Sequence, residues 1–254
     1  MKLRLVIPTL LLFLIIPVTV FADSRSDFDY QYSKYREHFL EFSLYKKDYL
    51  STQSLDNQQK ALLSAKQTVN TRDLTKASFA AYVRDLILQN NLNYDPLIPI
   101  NKGLLESQQY FLNEASKAQT IVTLADLADF DKSYSSSYQK YEVSIKMGIV
   151  AQKIAKLKNL SLQQTEALKT LKGKVESNVS VRVTERINSL ETDLGVITEK
   201  IDALANLLIS PDEMENTQSE IFFNAKIEPL AEIRSLQLDW MDKLIDLDLN
   251  YAKI

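Results

Sequence analysis

Cysteine is absent from the 254-residue chain, histidine occurs once and glycine only four times. Without cysteine there is no disulfide framework, thiol nucleophile or thiolate metal site, and one imidazole cannot supply the paired ligands of helical zinc or di-iron centres. The lone His38 stands beside Glu37 and one turn before Glu41, a charged helix face that reads as solvated surface. Scarce glycine removes the loops that cradle phosphate: no Gly-x-x-x-x-Gly-Lys or Gly-x-Gly-x-x-Gly occurs, and no Gly-x-Ser-x-Gly turn presents a serine nucleophile. Alternating strands bounded by glycine turns are missing too. The expectation is a chain without cofactor, metal or catalysis.

One long apolar run exists, and it stands first. Lys2 and Arg4 precede Leu5 to Ile16, Pro17 breaks the run, and Val20-Phe21-Ala22 offers small residues at cleavage positions. Residues 1–22 read as an export signal peptide cut after Ala22, with an uncleaved amino-terminal anchor as the alternative. Either way the rest lies outside the cytoplasm: secreted, periplasmic or on the cell surface. Any membrane contact would run through that first segment alone.

The remainder is written in helical periods. Ile187, Leu190, Leu194, Ile197, Ile201, Leu204 and Leu208 keep strict 3-4 spacing, the seam of a left-handed helix pair. Ser161 with Gln164 forms a capping-box pattern after Asn159, and Ser210-Pro211 repeats a start signal, so one helix is expected between them, about 74 Å long if unbroken. Gly173, Gly195 and the polar run Glu176 to Ser180 are its expected kinks. A second long helix is expected from Thr123, capped by Asp126, to Asn159. A short link at Asn159-Leu160 then makes the two an antiparallel hairpin.

Elsewhere the pattern is looser. From about Asp27 to Leu50, Phe28, Tyr32, Tyr35, Phe39, Phe42 and Tyr49 occupy seam positions, and a core contact with Tyr134, Tyr138 and Tyr141 is expected. Ser54 to Asn90 reads equally as one helix or as two broken near Asn70-Thr71. Asn90 to Pro99 is the best internal boundary, Asn101 a cap, and Pro229 the start of a last helix with Trp240 in its core. The fold class is therefore all-α: an elongated antiparallel helical bundle with a coiled-coil-like long hairpin. Residues 23–95 form an aromatic-rich amino-terminal segment, and residues 96–254 carry the hairpin and the acidic carboxy-terminal helices, packed together as one bundle.

Charge supplies the one functional asymmetry. Lys146, Lys153, Lys156, Lys158, Lys169, Lys172 and Lys174 stand against Glu166 alone, whereas residues 210–254 hold ten acids against four bases. If the chain turns at Asn159-Leu160, then Lys153, Lys156, Lys158, Lys169, Lys172 and Lys174 make a basic hairpin tip suited to an anionic envelope polymer or a partner protein. The competing expectation is that these lysines are a solvated face, or pair with the acidic helices. Nucleic acid is not the partner expected, because no aromatic residue lies between Tyr141 and Phe222 to stack on bases. The function expected is an exported structural or interaction protein of the envelope or extracellular space, with self-association open. The alternatives are a membrane-anchored helical sensor and a pore-forming helical toxin.

Overall fold

The computed structural model describes residues 23–90, 94–174, 181–208 and 219–251. The expected signal segment, the Ser210-Pro211 start and the Glu176 to Ser180 kink lie outside them. The described residues form seven α-helices and a 3₁₀ turn, with no strand among them: α1 (Ser24–Ser51), α2 (Leu55–Leu88), the turn Asp95–Leu97, α3 (Ile98–Ala118), α4 (Leu124–Ser137), α5 (Gln139–Lys174), α6 (Val181–Leu208) and α7 (Ser219–Tyr251). The fold is a packed all-α bundle. At 1.5 Å per residue the 36 residues of α5, the longest of these helices, extend about 54 Å.

α2 is one unbroken helix and the hub of the amino-terminal half, packed on α1, α3 and α5. Its periodicity is weak in sequence because it is buried on several sides through small residues. Ala61, Ser64, Ala65, Thr68, Thr71, Thr75, Ala77, Ser78 and Ala80 are all buried. Thr68, Thr71 and Thr75 turn their hydroxyls onto the carbonyls of Ser64, Gln67 and Thr71 at 2.8, 2.9 and 2.7 Å, so burial leaves no hydroxyl unsatisfied. α1 runs antiparallel to α2, placing Phe28 4.9 Å from Phe79 and His38 against Thr71.

That arrangement corrects the expectation for the aromatic helix. No residue of α1 is buried, and its substantial packing is on α2 alone. A stripe touching a single neighbour is half covered at best, so Tyr32 and Phe39 keep nearly half their surface exposed. His38 is half-buried against α2, its Nδ1 3.3 Å from the Thr71 hydroxyl, and is not a free surface group.

The long hairpin exists, but its members differ from those expected. α5 runs through Asn159 and Leu160 without a turn. Ser161 and Gln164, the apparent capping box, are buried inside it. They meet Gln237 of α7: Gln164 Nε2 donates to the Gln237 carbonyl at 3.0 Å, and Gln237 Nε2 donates to the Leu157 carbonyl at 2.8 Å and the Ser161 hydroxyl at 3.3 Å. A serine and a glutamine three residues apart serve a helix start or a buried polar layer equally well, and only the third partner separates the two. The hairpin is α5 with α6, antiparallel because Lys158 meets Asp202 and Lys172 meets Glu191. The link between them falls on residues 175–180, outside the described ones.

Three further boundaries move. The helix expected from Thr123 divides at Tyr138, where Ser136 and Ser137 bond their hydroxyls back to the Ser133 carbonyl at 2.8 and 3.0 Å and compete with helical bonding. The Thr123 and Asp126 capping box is present as expected. α3 begins at Ile98 with Pro99 in its first turn rather than at an Asn101 cap, and Pro229 lies inside α7 rather than opening it. The heptad seam of α6 is buried over its whole length, from Ile187 at 6% exposure to Leu208 at 0%. Trp240 closes that half of the core, its indole N–H donating to the Leu190 carbonyl at 2.7 Å.

Candidate functional site

The basic residues are dispersed, because the turn expected among them does not exist. Lys158 is a structural group: its ammonium donates to Asp202 at 2.7 Å and stands 4.9 Å from the centre of the Tyr94 ring, while the Tyr94 hydroxyl donates to the same carboxylate at 2.6 Å. Burial, then the bond to Asp202, pushes the Tyr94 hydroxyl well above the usual tyrosine range. Lys172 pairs with Glu191, and Lys169 lies 3.8 Å from Glu166 on its own helix. Lys174 ends α5, and its side chain lies outside the described set.

Lys153 and Lys156 remain. Both are exposed and neither has an ion-pair partner among the described residues. Spacing of seven and ten residues from the half-buried Lys146 puts all three on one face of α5. The acidic carboxy-terminal helix does not neutralise them among the described residues. Two of its carboxylates turn to α6, where Glu232 accepts from Lys200 at 2.8 Å and Asp246 pairs with Arg186, while Lys243 of α7 reaches Asp193 of α6 at 3.1 Å.

A second cluster, unforeseen from sequence, sits where α2, α3, α4 and α5 meet. The Lys76 ammonium stands 5.2 to 5.4 Å from the ring centres of Phe111, Tyr134 and Tyr138. It donates to the Tyr134 hydroxyl at 2.8 Å and to the Glu142 carboxylate. The Arg72 guanidinium lies 3.9 Å above the Tyr134 ring and grips the fully buried Asp73 with two bonds, 2.8 and 3.1 Å. Burial pushes the Asp73 carboxyl above the usual aspartate range, with Arg72 pulling against it, and pushes the Tyr134 hydroxyl up as well. The Tyr110 ring stacks 3.9 Å from Tyr141, and its hydroxyl, pushed up by burial, lies 2.7 Å from that of Ser137.

Chemically this junction is a cation cage filled by the chain's own lysine. Three rings, a phenol and a carboxylate around an ammonium make up the recognition set for an organic cation, and Lys76 satisfies it internally. The arrangement fastens four helices together. The sequence signal was the pair Arg72 and Lys76 in the middle of an otherwise mild helix, which resembles a solvated break because its aromatic partners lie far along the chain.

A cleft of about 310 Å³ opens between α3 and α5, floored by Ile100, Val143 and Met147 and rimmed by Lys102, Glu106 and Lys140. Among the described residues no group of three or more His, Asp or Glu side chains is placed to hold a metal ion, and no helix is long and apolar enough to cross a membrane. The chain matches no protein-family model, no curated protein and no solved structure.

Proposed function

We propose that this protein is an exported, non-enzymatic helical interaction protein of the cell envelope or extracellular space, and that its cationic α5 face docks on anionic polymer. The observation carrying this reading is the row Lys146, Lys153 and Lys156 along one face of α5, to which no carboxylate of α7 supplies an ion pair among the described residues. Long-range attraction of such a row for a polyanion is sequence-tolerant and screened by salt. Export is supported by the amino-terminal pattern of Lys2, Arg4, the apolar run and Ala22.

The test is retention of the full chain on immobilised polyphosphate at low and high salt. Replacing Lys146, Lys153 and Lys156 together by Gln is expected to weaken binding by about tenfold or more at low salt, with an unchanged thermal midpoint. Lys158→Gln should do the opposite, lowering the midpoint and leaving retention alone, since Lys158 is held by Asp202 and Tyr94. Unchanged retention of the triple variant would mean the row is only solvated surface.

A further inference from the structure

α7 carries two apolar seams. One faces inward, with Leu230, Ile233, Trp240 and Leu247 buried. The other faces out: Ile227, Ala231, Leu238, Ile245 and Leu249 recur at intervals of four and seven residues, with the half-buried Met241 at its edge. Ile227, Leu238, Ile245 and Leu249 keep 46, 52, 52 and 58% of their surface exposed, a contiguous apolar stripe that works against solubility unless it is covered. Isolated exposed leucines are ordinary, but a row in register over six turns is the pattern of a helix pair lacking its second member.

Charge along this seam identifies the partner. Arg234 and Asp242 lie on the outward side, four residues either side of Leu238, both exposed and without an ion-pair partner among the described residues. The neighbouring Glu232, Asp239 and Asp246 are already matched, to Lys200, Lys243 and Arg186. If a second α7 lies antiparallel across the first with Leu238 on the two-fold axis, residues equally distant from Leu238 face one another. Arg234 then meets Asp242 twice, the small Ala231 faces the larger Ile245, and Ile227 faces Leu249. Such self-complementarity of sign and size is what an isologous interface requires.

We infer that the outward seam of α7 is the interface of an antiparallel homodimer, zipped by Leu238 and keyed by reciprocal Arg234 and Asp242 pairs. This is independent of the cationic face on α5. Sedimentation equilibrium of the full chain from about 1 to 100 µM should give the mass of two chains. Arg234→Asp and Asp242→Arg should each weaken self-association by about tenfold or more, because like charges then meet at both ends of the contact. Mixing the two variants should restore the dimer as a heterodimer, which a mere folding defect would not do. Leu238→Asp should give a monomer with an unchanged circular dichroism melt when compared at monomeric concentrations. A monomeric wild type throughout the range overturns the inference, as does a dimer that survives Leu238→Asp. Failure of the mixed variants to reassociate overturns the Arg234 and Asp242 key and with it the antiparallel register.

Discussion

The two halves of the bundle are held together by different means. Around α2 the helices approach through alanine, serine and threonine and are fastened by Lys76, Arg72 and Asp73 among aromatic rings. Along α6 the contact is a row of isoleucine and leucine closed by one tryptophan, with a glutamine layer joining the neighbouring α5 and α7. An apolar seam derives its stability from area removed from water and tolerates rearrangement of neighbours, whereas a buried charge junction is costly wherever one partner is missing. The apolar seam thus stabilises by burial, and the charge junction penalises any arrangement that separates its partners.

Aspartate at Ile201, 0% exposed in the seam, should produce the largest effect, a loss of about 4 kcal/mol or more, while Phe39→Asp on the half-bare α1 should lie within about 1 kcal/mol. Urea midpoints read both, and comparable losses would mean that α1 is clamped as firmly as the seam. Next come two glycines, one from each half. A Cβ at Gly148 would sit 2.7 Å from a Leu104 methyl and 3.0 Å from Val83, so Gly148→Ala should destabilise by about 1 to 3 kcal/mol. Gly195 in α6 meets nothing within 4 Å, and Gly195→Ala should stabilise by about 0.5 to 1 kcal/mol. Thermal melts of the pair that move in the same direction would erase the contrast.

The smallest effect is a pH slope to which the junction contributes. Because burial raises the Asp73 carboxyl, the folded chain holds a proton that the unfolded chain has released between the ordinary aspartate range and the raised value. Stability contributed by this group therefore falls as pH climbs through that window. Asp126, held low by the amides of Val122 and Thr123 and by the Thr123 side chain, acts in the opposite sense, losing its contribution as pH drops below the ordinary range. Urea midpoints from about pH 4 to 6.5 should flatten in Asp73→Asn, and a slope that persists belongs to another carboxylate.

What could be read from sequence follows the same division. The α6 seam, the core tryptophan and the Thr123 cap were legible because periodicity and local capping are written within one helix. The continuity of α5 was not, since the role of Ser161 and Gln164 is decided by Gln237, more than seventy residues away. Nor was the junction, because Arg72 and Lys76 look solvated until Phe111, Tyr134 and Glu142 arrive from three other helices. The basic tip dissolved for the same reason: Lys158 and Lys172 had carboxylates waiting on α6. Helical aromatics in α1 met the opposite fate, for a stripe is only as buried as the number of neighbours allows.

That single-sided attachment of α1 has a mechanical meaning. Whatever holds or tugs the chain by its amino end loads the α1 and α2 contact alone, and that contact can peel open turn by turn like a zipper, leaving the heptad seam unloaded. Under such a load α1 would lift from α2 first, while the body beyond it stayed intact.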